Sequence, residues 1–430
     1  MAATSKRRVL FLQGPSSPFM ARVARAVLDR GHDVRRLNLA LGDRLFWRLP
    51  GARDYRGSLT DWSGFVRRFM AEEAVTDLAL LGDSRPYQAA AIPVAHDLGI
   101  RVHAIEHGYL RPDWITVEPD GLSSFSRFPR EAEAIRRMAA GRPDPDLAPL
   151  GGASFLKYAA WDVAYNLANV FGNPFTFPRY RRYAIDHAAV EYGGWILKLA
   201  TEGRTARRTA AVLAALAADP RPTFLVPLQL ATDFQIRVHS PFPHLDDAVA
   251  WILASFARNA PAEARLLFKV HPLDNGLAAW PRRIARMAAA VGVADRAHVV
   301  DGGDLDAMLA GAAGVVTVNS TVGVTALAAG RPVAALGNAV YDVAGLTHQG
   351  PLAAFWREPV PPDPSLARDF VRALAWASQV RGGFTAEHAM DLGASNVAER
   401  ILEPELRLPG PPRPRTVAFR RLDEWRSEKG

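Results

Sequence analysis

The sequence predicts an α/β protein built from two Rossmann-like, doubly wound domains that face a cleft. Short apolar segments of strand length alternate with segments of helical periodicity, first near the N terminus and again after residue 219. Many of the apolar segments end in glycine or small polar residues, as strands of parallel sheets with helical crossovers do. A chain of 430 residues is also too long for one ordinary core, so two domains are expected.

The first series of elements lies before residue 109. Its predicted strands are RVLFLQG, DVRRLNL, DLALLGD and RVHAIEHG. Its predicted helices are SPFMARVARAVLDRGH and RPYQAAAIPVAHDLG. The GHDV segment between the first helix and the second strand combines a helix stop with a turn.

The alternation fades between about Gly141 and Asp219, where the segment is predicted to be mostly helical, and then resumes. The later predicted strands are PRPTFLVPLQ, ARLLFKVHP, HVVD, GVVTVNS and PVAALG. A helical stretch from Pro362 to Leu402 and a proline-rich basic tail close the chain. The predicted domains are 1–215, with a helical insertion at about 141–215, then 216–380, and a C-terminal helix and tail at 381–430.

Composition narrows the class of protein. Hydrophobic residues make up 49% of the chain and charged residues 22%, a normal balance for a globular protein. The chain has no cysteine, which excludes a disulfide scaffold and a thiol nucleophile. The formal net charge of +8 suits polyanions, anionic membranes or nucleotide substrates, although a solvated basic surface explains it equally simply.

No segment has the pattern of a signal peptide or a membrane span. The apolar run Val9 to Leu12 is too short for a signal-peptide core, and the longer apolar stretches fall short of about 18 residues. The sequence therefore predicts a cytoplasmic protein.

Polar clusters follow six of the predicted strands. They are QGPSS at 13–17, GDSRPY at 82–87, EHGYLRPDW at 106–114, PLQ at 227–229, KVHP at 269–272 and NSTVG at 319–323. Ligands of open parallel sheets bind outside the carboxyl ends of the strands. The six clusters therefore predict one cleft.

Two clusters of the second series have the chemistry of an anion site. NSTVG passes from strand directly into helix, so Asn319 or Ser320 can cap the helix beside free backbone N–H groups. KVHP adds a cation, and His271 can donate a hydrogen bond or a proton to a leaving phosphate. A small polar helix cap is more often only a cap, and a lone histidine after a strand is usually structural.

The stretch IEHGYLRPDWITVEPDG, from Ile105 to Gly121, carries several carboxylates. Glu106 at the strand end and Asp113 are candidates for an acid, a base or a nucleophile. Glu118 and Asp120 are expected to be exposed loop charges. His107 would point away from Glu106 if the strand continues, and Arg111 suits a carboxylate or phosphate partner.

Several known motifs are absent from the sequence. There is no full GxGxxG spacing, no GxxxxGK[ST] and no HExxH, and no cluster of carboxylates and histidines has convincing metal-ligand spacing. These absences argue against a P-loop NTPase and against a bound metal.

Five segments together resemble the capsular polysaccharide biosynthesis and export proteins. More narrowly, they are similar to the single-module capsule β-Kdo transferases. The segments are VLFLQGPSSPFMARVARAVLDRGHDVRRLNL, SRPYQAAAIPVAHDLGIRVHAIEHGYLRPDWITVEPDG, VPLQLATDFQIRVHS, KVHPLDNG and GVVTVNSTVGVTALAAGRPVAALGNAVYDVAGLTHQGPLAAFW. The likeness extends from about Arg8 to Trp356, and its ordered motifs are specific.

The resemblance implies a GT-B-like fold, CMP-Kdo as donor substrate and a phosphatidylglycerol-type lipid as acceptor. It implies a β-linked product from a β-configured donor, hence net retention, with no cofactor beyond the donor. It also implies a cytoplasmic enzyme, peripheral at the inner face of the inner membrane of a Gram-negative bacterium. Other capsule biosynthesis and export proteins are possible partners, and no nucleic acid is expected.

In related CMP-sugar enzymes, an HP motif and a serine/threonine motif hold the CMP phosphate. These correspond to His271-Pro272 and Ser320-Thr321. An acidic-acidic-glycine motif supplies the catalytic carboxylate at its second position, where this chain has His107 in Glu106-His107-Gly108. The nucleophile therefore remains open between Glu106, which a strand would position, and Asp113.

The predicted catalytic residues are Glu106, His107, Asp113 and His271. The predicted substrate-binding residues are Gln13, Gly14, Pro15, Ser16, Arg85, Gly108, Tyr109, Arg111, Gln229, Lys269, Pro272, Asn319, Ser320, Thr321 and Gly323.

Two other functions fit the same pattern. A nucleotide-sugar epimerase would share the fold but need no lipid. A non-catalytic glycolipid carrier for capsule export would bind lipid and leave CMP-Kdo intact. The sequence also predicts that the basic tail from Arg407 to Lys429 helps to dock the protein on anionic lipid, with Phe419 and Trp425 as interfacial anchors, and a simply solvated tail is nearly as well supported.

Overall fold

The structure is a computed structural model that describes residues 6–152, 155–182 and 187–429. Within these ranges, none of the helices combines the length and the apolar character needed to cross a membrane. The chain divides into two compact units. Unit 1 contains the described residues of Met1–Phe128, Pro143–Tyr183 and Leu374–Arg415, and unit 2 contains those of Pro129–Arg142, Ala184–Ala373 and Thr416–Gly430.

The elements alternate along the chain. The strands are β1 (Arg8–Phe11), β2 (Asp33–Asn38), β3 (Ala52–Asp54), β4 (Asp77–Leu81), β5 (Arg101–His107), β6 (Trp114–Pro119), β7 (Thr223–Pro227), β8 (Arg265–Val270), β9 (Ala297–Asp301), β10 (Gly314–Thr317), β11 (Val333–Ala335) and β12 (Gln379–Arg381). The helices are α1 (Phe19–Asp29), α2 (Leu41–Leu45), α3 (Leu59–Glu72), α4 (Pro86–Asp97), α5 (Ala132–Ala139), α6 (Phe155–Thr176), α7 (Ala188–Ala218), α8 (Phe234–Arg237), α9 (Leu245–Asn259), α10 (Trp280–Ala290), α11 (Leu305–Gly311), α12 (Val322–Ala328), α13 (Leu352–Phe355), α14 (Pro364–Ser378), α15 (Glu387–Leu402) and α16 (Leu422–Lys429).

Unit 1 is built on a seven-stranded sheet in the order β12-β6-β5-β4-β1-β2-β3. The five strands from β5 to β3 in this order are parallel, whereas β6 and β12 add antiparallel pairs at one end. The strand order reverses between β1 and β4. This reversal is the topological switch point, where the crossover helices diverge to opposite faces of the sheet.

The core of unit 1 lies on both faces of this sheet. Successive side chains of a strand point to opposite faces. Val9 and Phe11 of β1 therefore pack with α1 and α15, while Leu10 and Leu12 pack with α3 and α4. Burial on both faces explains why these strands read as continuous apolar runs rather than as an alternating pattern.

Unit 2 has a fully parallel five-stranded sheet in the order β11-β10-β7-β8-β9. Its switch point lies between β7 and β10. A core around Phe224, Phe256, Phe268, Trp280 and Trp356 packs against this sheet.

The predicted fold class, two Rossmann-like α/β units, is confirmed, with three differences in detail. The stretch after β5 forms an antiparallel strand, β6, instead of a loop. The predicted helix from Pro362 to Leu402 is interrupted by the edge strand β12, because that segment pairs with β6. The chain also returns to unit 1 from Leu374 onward, so the predicted boundaries at 215 and 380 differ from the observed division.

Parts of the basic tail are bound to the protein, whereas other residues of the tail are exposed. The Arg421 side chain is 3% exposed and donates to the carbonyl oxygens of Ala335 and His348. The Trp425 ring lies against the unit 2 core, edge-on to Phe242 at 5.3 Å. The prediction that Trp425 is an interfacial anchor is therefore wrong, because the ring already has an apolar partner in the protein.

A buried ion network joins the amino-terminal ends of β1, β4 and β5. Asp77 has no exposed surface, and its carboxylate accepts from Arg7 Nε at 2.7 Å and contacts His103 Nε2 at 2.8 Å. Burial acts to raise the pKa of Asp77, but the hydrogen bonds from His103 and Arg7 outweigh it and lower the pKa to about 2. The network therefore favours the ionised carboxylate in the folded protein.

We expect Asp77→Ala to destabilise the protein by roughly 3–5 kcal/mol, because it leaves the buried Arg7 guanidinium without its partner. Since the folded-state pKa of Asp77 is depressed, its stabilisation is present above about pH 4 and is lost as the pH falls towards 2. Urea unfolding of both proteins between pH 7 and pH 2 measures this. An acid-dependent loss of stability that is the same in the variant would contradict the role of Asp77.

Candidate functional site

The switch point of unit 2 brings together two predicted site residues. Gln229 follows β7, Asn319 follows β10, and the two strands are neighbours in the sheet. Gln229 Oε1 accepts from the backbone N of Asn319 at 3.0 Å, and Gln229 Nε2 donates to Asp233 at 3.3 Å. Both side chains are nearly buried. The hydrogen bond between Gln229 and Asn319 holds the loops after β7 and β10 together at the carboxyl ends of these strands.

Lys269, at the carboxyl end of β8, is a nearly buried cation. Its side chain is 8% exposed, and among the described residues it has neither a hydrogen bond nor an ion pair. Burial and the ammonium of Lys198 lower the pKa of Lys269, although the carboxylate of Asp301 acts in the opposite direction. Asp301 itself pairs with Lys198 at 3.2 Å. A buried charge without a partner is costly, and an anion bound beside Lys269 would offset that cost.

His271 lies two residues beyond Lys269 and is partly buried. Its Nδ1 accepts from the backbone N of Leu273 at 3.1 Å, which leaves the proton of a neutral ring on Nε2. Pro272 is exposed in the turn. The turn thus presents His271 as a hydrogen-bond donor at the strand end where Lys269 lies.

The loop between β10 and α12 is held from within the unit. Ser320 Oγ accepts from Val322 N at 3.2 Å, and the carbonyl oxygen of Ser320 accepts from the Tyr341 hydroxyl at 2.7 Å. The Ser320 and Thr321 side chains are partly exposed. A Cβ at Gly323 would lie 2.4 Å from the Tyr341 ring, so packing requires glycine at this position.

In unit 1, the predicted residues Gln13, Gly14, Pro15 and Ser16 form the loop after β1. Gln13 is 1% exposed, and its Nε2 donates to the hydroxyls of Tyr165 and Tyr180 at 2.8 and 3.1 Å. Ser16 Oγ donates to Asp162 at 3.0 Å. Gly14 and Pro15 line a narrow recess beside α2. In this structure the Gln13 and Ser16 side chains bind α6 and the segment that follows it.

Glu106 lies near the end of β5, next to the loop that follows β4. Its Oε1 accepts from the backbone N of His107 at 2.9 Å. A Cβ at Gly82 would come within 3.4 Å of Glu106 Oε2 and 3.9 Å of Arg85 Nε, and Gly82 has a φ of +68°. The positive φ therefore favours glycine at this position, while the two distances place Glu106 and Arg85 beside the loop. Arg111 interacts electrostatically with the Glu106 carboxylate.

His107 stands beside the same cations. Desolvation and the charges of Arg111 and Arg85 lower the pKa of His107, although its residue surface remains exposed. The ring packs edge-on against Phe384 at 4.6 Å. A neutral imidazole at pH 7 can accept a proton. Glu106, His107, Arg85 and Arg111 thus form one electrostatically coupled group in unit 1.

Asp113 has a structural position. It adopts a φ of +58° in the hairpin loop between β5 and β6, and its Oδ2 accepts from Leu150 N at 2.7 Å. Gly108 closes the same loop, where its N donates to the carbonyl oxygen of Trp114 at 2.9 Å. These contacts give Asp113 a role in holding the loop.

Glu118 and Asp120 are not exposed, and the prediction that they are loop charges is wrong. Glu118 lies in β6 with no exposed surface, and its carboxyl group is hydrogen-bonded to Ser126 and Tyr109. Burial raises the pKa of Glu118 to about 8, so this side chain is mostly protonated at neutral pH. Asp120 is 8% exposed and pairs with His96 at 2.7 Å. The hairpin pairing of β5 and β6 buries both carboxyl groups.

The described residues contain no group of histidine, aspartate and glutamate side chains that could hold a metal ion. The candidate residues of unit 2 are a cation, a histidine and two hydroxyls, and those of unit 1 include two arginines, a histidine and a carboxylate.

Comparison with known proteins identifies the family. A family described as "Capsule polysaccharide biosynthesis protein" matches residues 76–385. The chain belongs to this capsule polysaccharide family. It is 30% identical over 391 residues to the capsule polysaccharide modification protein LipB of Neisseria meningitidis serogroup B, covering 89% of this chain and 93% of LipB. It is 31% identical over 391 residues to the capsule polysaccharide export protein KpsS of Escherichia coli, covering 87% and 96%.

Among solved structures, the chain is similar to Thermosulfurimonas dismutans KpsC, described as a beta Kdo 2,7 transferase. The TM-score is 0.44 at 15% identity, with 91% of this chain and 99% of that chain covered.

Three residues of this family member that support the candidate site were missed from the sequence. Gln379 accepts from Tyr109 N at 2.9 Å and donates to Thr116 at 3.0 Å, which fixes the loop after β5. Phe384 covers the His107 ring, and Lys198 pairs with Asp301 beside Lys269. Gln379 is 270 positions from Tyr109, and no local pattern signals so distant a contact.

We expect Glu118→Gln to stabilise the protein at pH 8. The folded-state pKa of Glu118 is raised, so the wild-type protein loses stability as the pH rises from about 4.5 to about 8, by at most about 1.4 kcal/mol per pH unit. The amide cannot ionise, so the variant lacks this loss. Thermal unfolding between pH 5 and pH 9 measures the difference, and parallel pH profiles for the two proteins would contradict it.

Proposed function

We propose that the protein is a retaining β-Kdo transferase that moves Kdo from CMP-Kdo to a phosphatidylglycerol-type lipid and so begins the lipid-linked linker of a capsule. The observation that carries this proposal is Lys269, a nearly buried ammonium at the carboxyl end of a strand. In the part of the chain that the structure describes, this ammonium has neither a hydrogen bond nor an ion pair. It lies two residues before His271, on the strand next to the switch point of unit 2. Membership of the capsule polysaccharide family supplies the biological context.

Unit 2 would bind the donor nucleotide. Lys269 supplies the charge for the CMP phosphate, and Ser320 and Thr321 supply hydroxyls from the loop after β10. His271 Nε2–H donates to the leaving phosphate oxygen as the bond to the sugar breaks. The positions of HP and ST in this sequence match the CMP-binding motifs of related enzymes, which favours CMP over a nucleoside diphosphate.

Unit 1 would supply the groups that react with the sugar. Glu106 attacks the anomeric carbon, the bond between that carbon and the phosphate oxygen breaks, and CMP leaves. The lipid hydroxyl then attacks the glycosyl ester, its proton passes to neutral His107, and the Glu106 carboxylate is released. Two inversions give net retention. Arg85 and Arg111 suit the sugar carboxylate, because guanidinium groups pair well with carboxylates.

The printed names of the relatives are consistent with the proposed transferase activity, but they name no donor and no acceptor. LipB is described as a modification protein and KpsS as an export protein, both for capsule polysaccharide. A transferase that builds the lipid-linked linker would act before export.

We expect the wild-type protein, given CMP-Kdo generated in situ and a fluorescent phosphatidylglycerol analogue, to form a β-Kdo lipid. Glu106→Gln should lower turnover by about a thousandfold or more, because it removes the nucleophile. His107→Ala should retain more activity, since it removes only a proton acceptor. Product mass and anomeric configuration by NMR provide the readout, and intact-protein mass with donor alone detects the covalent adduct.

Asp113→Asn is the matched control, because it removes a neighbouring carboxylate that is bound to the backbone. An adduct on Glu106→Gln together with its absence on Asp113→Asn would transfer the nucleophile to Asp113. Epimerised donor without lipid product would support a nucleotide-sugar epimerase. Lipid binding with intact CMP-Kdo would support a carrier.

Lys269→Met should weaken CMP binding by about a hundredfold while leaving the melting temperature equal or higher. The methionine fills the same space without a buried charge, and removal of that charge also removes its desolvation cost. Calorimetric titration with CMP and thermal unfolding measure the two effects. Arg283→Met, which removes an exposed cation paired with Asp246 on another face, is the control. Unchanged CMP affinity in Lys269→Met would remove Lys269 from the site.

A further inference from the structure

Helix α6 of unit 1 has an apolar outer face. Leu156, Phe171 and Phe175 are 79%, 70% and 87% exposed. The exposed residues of the helix recur at helical spacing and are all apolar apart from Tyr158: Leu156, Tyr158, Ala160, Val163, Ala164, Leu167, Phe171, Pro174 and Phe175. Most of them form a stripe along a helix of 22 residues, about 33 Å long.

The polar residues of α6 face the protein instead. Asn169 Oδ1 accepts from Gly42 N at 2.7 Å, and Asn173 Oδ1 accepts from Leu41 N at 2.8 Å. Tyr165 contacts Gln13, and Asp162 accepts from Ser16. A surface helix of a water-soluble protein normally shows the opposite arrangement, with its apolar face turned inward.

The inward polar face is fixed by close packing. A Cβ at Gly172 would lie 2.0 Å from Leu41 Cδ2, and a Cβ at Gly42 would lie 2.4 Å from the Tyr165 ring. The two helices therefore approach through glycine on both sides. Rotation of α6 to bury its apolar stripe would break these contacts, so the exposed stripe belongs to the folded state.

The apolar stripe has no charged residue within it and has two cations at its C-terminal end. The sequence of α6 contains only two charged residues, and both are bonded within unit 1: Lys157 to Glu387, and Asp162 to Ser16. The chain leaves the helix through Arg179 and Arg181, both exposed. An apolar stripe with cations at its end complements an anionic lipid surface, where apolar side chains enter the acyl boundary and cations meet the headgroups.

We propose that α6 is the membrane-docking surface of the protein, lying in the interface of an anionic bilayer with its apolar stripe inserted and Arg179 and Arg181 at the headgroups. The link between this docking surface and catalysis rests on the proposed function. The loop with Gln13 and Ser16 is hydrogen-bonded to α6, so docking of α6 would bring this loop of unit 1 to a lipid acceptor in the bilayer. A second copy of the chain is a poorer occupant, because an identical stripe would cover the apolar side chains but bring no anionic group to Arg179 and Arg181.

The docking experiment uses the full chain and vesicles. We expect the wild-type protein to sediment with phosphatidylcholine vesicles that contain about one third phosphatidylglycerol, and more weakly with phosphatidylcholine alone. Phe171→Asp combined with Phe175→Asp should reduce binding by at least about tenfold, because two aromatic side chains no longer enter the interface. Val360→Asp, at a residue 61% exposed in unit 2, should bind as the wild type does.

A second double variant tests the electrostatic contribution of Arg179 and Arg181 to vesicle binding. Arg179→Gln combined with Arg181→Gln should reduce binding to anionic vesicles by about tenfold or more at low salt, and little to neutral vesicles. Wild-type binding by the Phe171 and Phe175 double variant, or no vesicle binding by the wild type, would overturn the proposal. A wild-type dimer in light scattering that the phenylalanine variant converts to a monomer, without vesicle binding, would assign the stripe to self-association instead.

A water-soluble, short-chain glycerol-phosphate acceptor separates this inference from the proposed activity. The phenylalanine variant should transfer Kdo to the soluble acceptor at the wild-type rate and lose transfer to vesicle-embedded phosphatidylglycerol. Loss with both acceptors in this variant alone would assign the phenylalanines to the reaction and overturn the docking role. If the wild type transfers to neither acceptor yet binds anionic vesicles through α6, the proposed function fails and the docking surface stands.

Discussion

The reversal of strand order in each parallel sheet is the constraint on which both candidate site regions depend. A parallel sheet directs the carboxyl ends of its strands to one edge, and the crossover helices diverge where the order reverses. In unit 2 this places the loop of Gln229 beside that of Asn319, joined by one hydrogen bond. In unit 1 the strand order reverses between β1 and β4, so the loops after these two strands are neighbours. Glu106 lies near the end of β5, the strand beside β4. Polar residues far apart in sequence thereby share an edge.

Three buried ionisable groups, Asp77, Glu118 and Lys269, differ in their ionisation state and in their partners. Asp77 is ionised and is hydrogen-bonded to Arg7, His103 and Thr76, so its role is structural. Glu118 has only neutral hydrogen-bonding partners in Ser126 and Tyr109, and burial keeps it protonated. The Lys269 ammonium has neither an ion pair nor a hydrogen bond among the described residues. Because the first two groups are stabilised within unit 1, the contrast at Lys269 is what supports the proposed anion site.

The sequence predicted the strands well because burial on both faces produces uninterrupted apolar runs, as in β4 and β8. It predicted the residues at strand ends, since that position follows directly from strand assignment. It failed at Glu118, because the hairpin that buries this carboxyl group depends on pairing with β5 and β12. Gln379 and Phe384 were missed because the chain returns to unit 1 only after residue 373.

Helix α6 shows why periodicity alone did not reveal a surface. Leucine, valine and phenylalanine at helical spacing give the same pattern whether the stripe faces a core or a bilayer. What decides the direction is the partner of the opposite face. Here asparagine, tyrosine and aspartate bind the backbone and side chains near α2 and β1, and glycines at positions 42 and 172 allow the approach. The hydrogen bonds from Gln13 and Ser16 to this helix mechanically link the loop after β1 to the apolar stripe. The loop after β1, which the sequence predicts to bind substrate, is thus bonded directly to the helix that carries the apolar stripe.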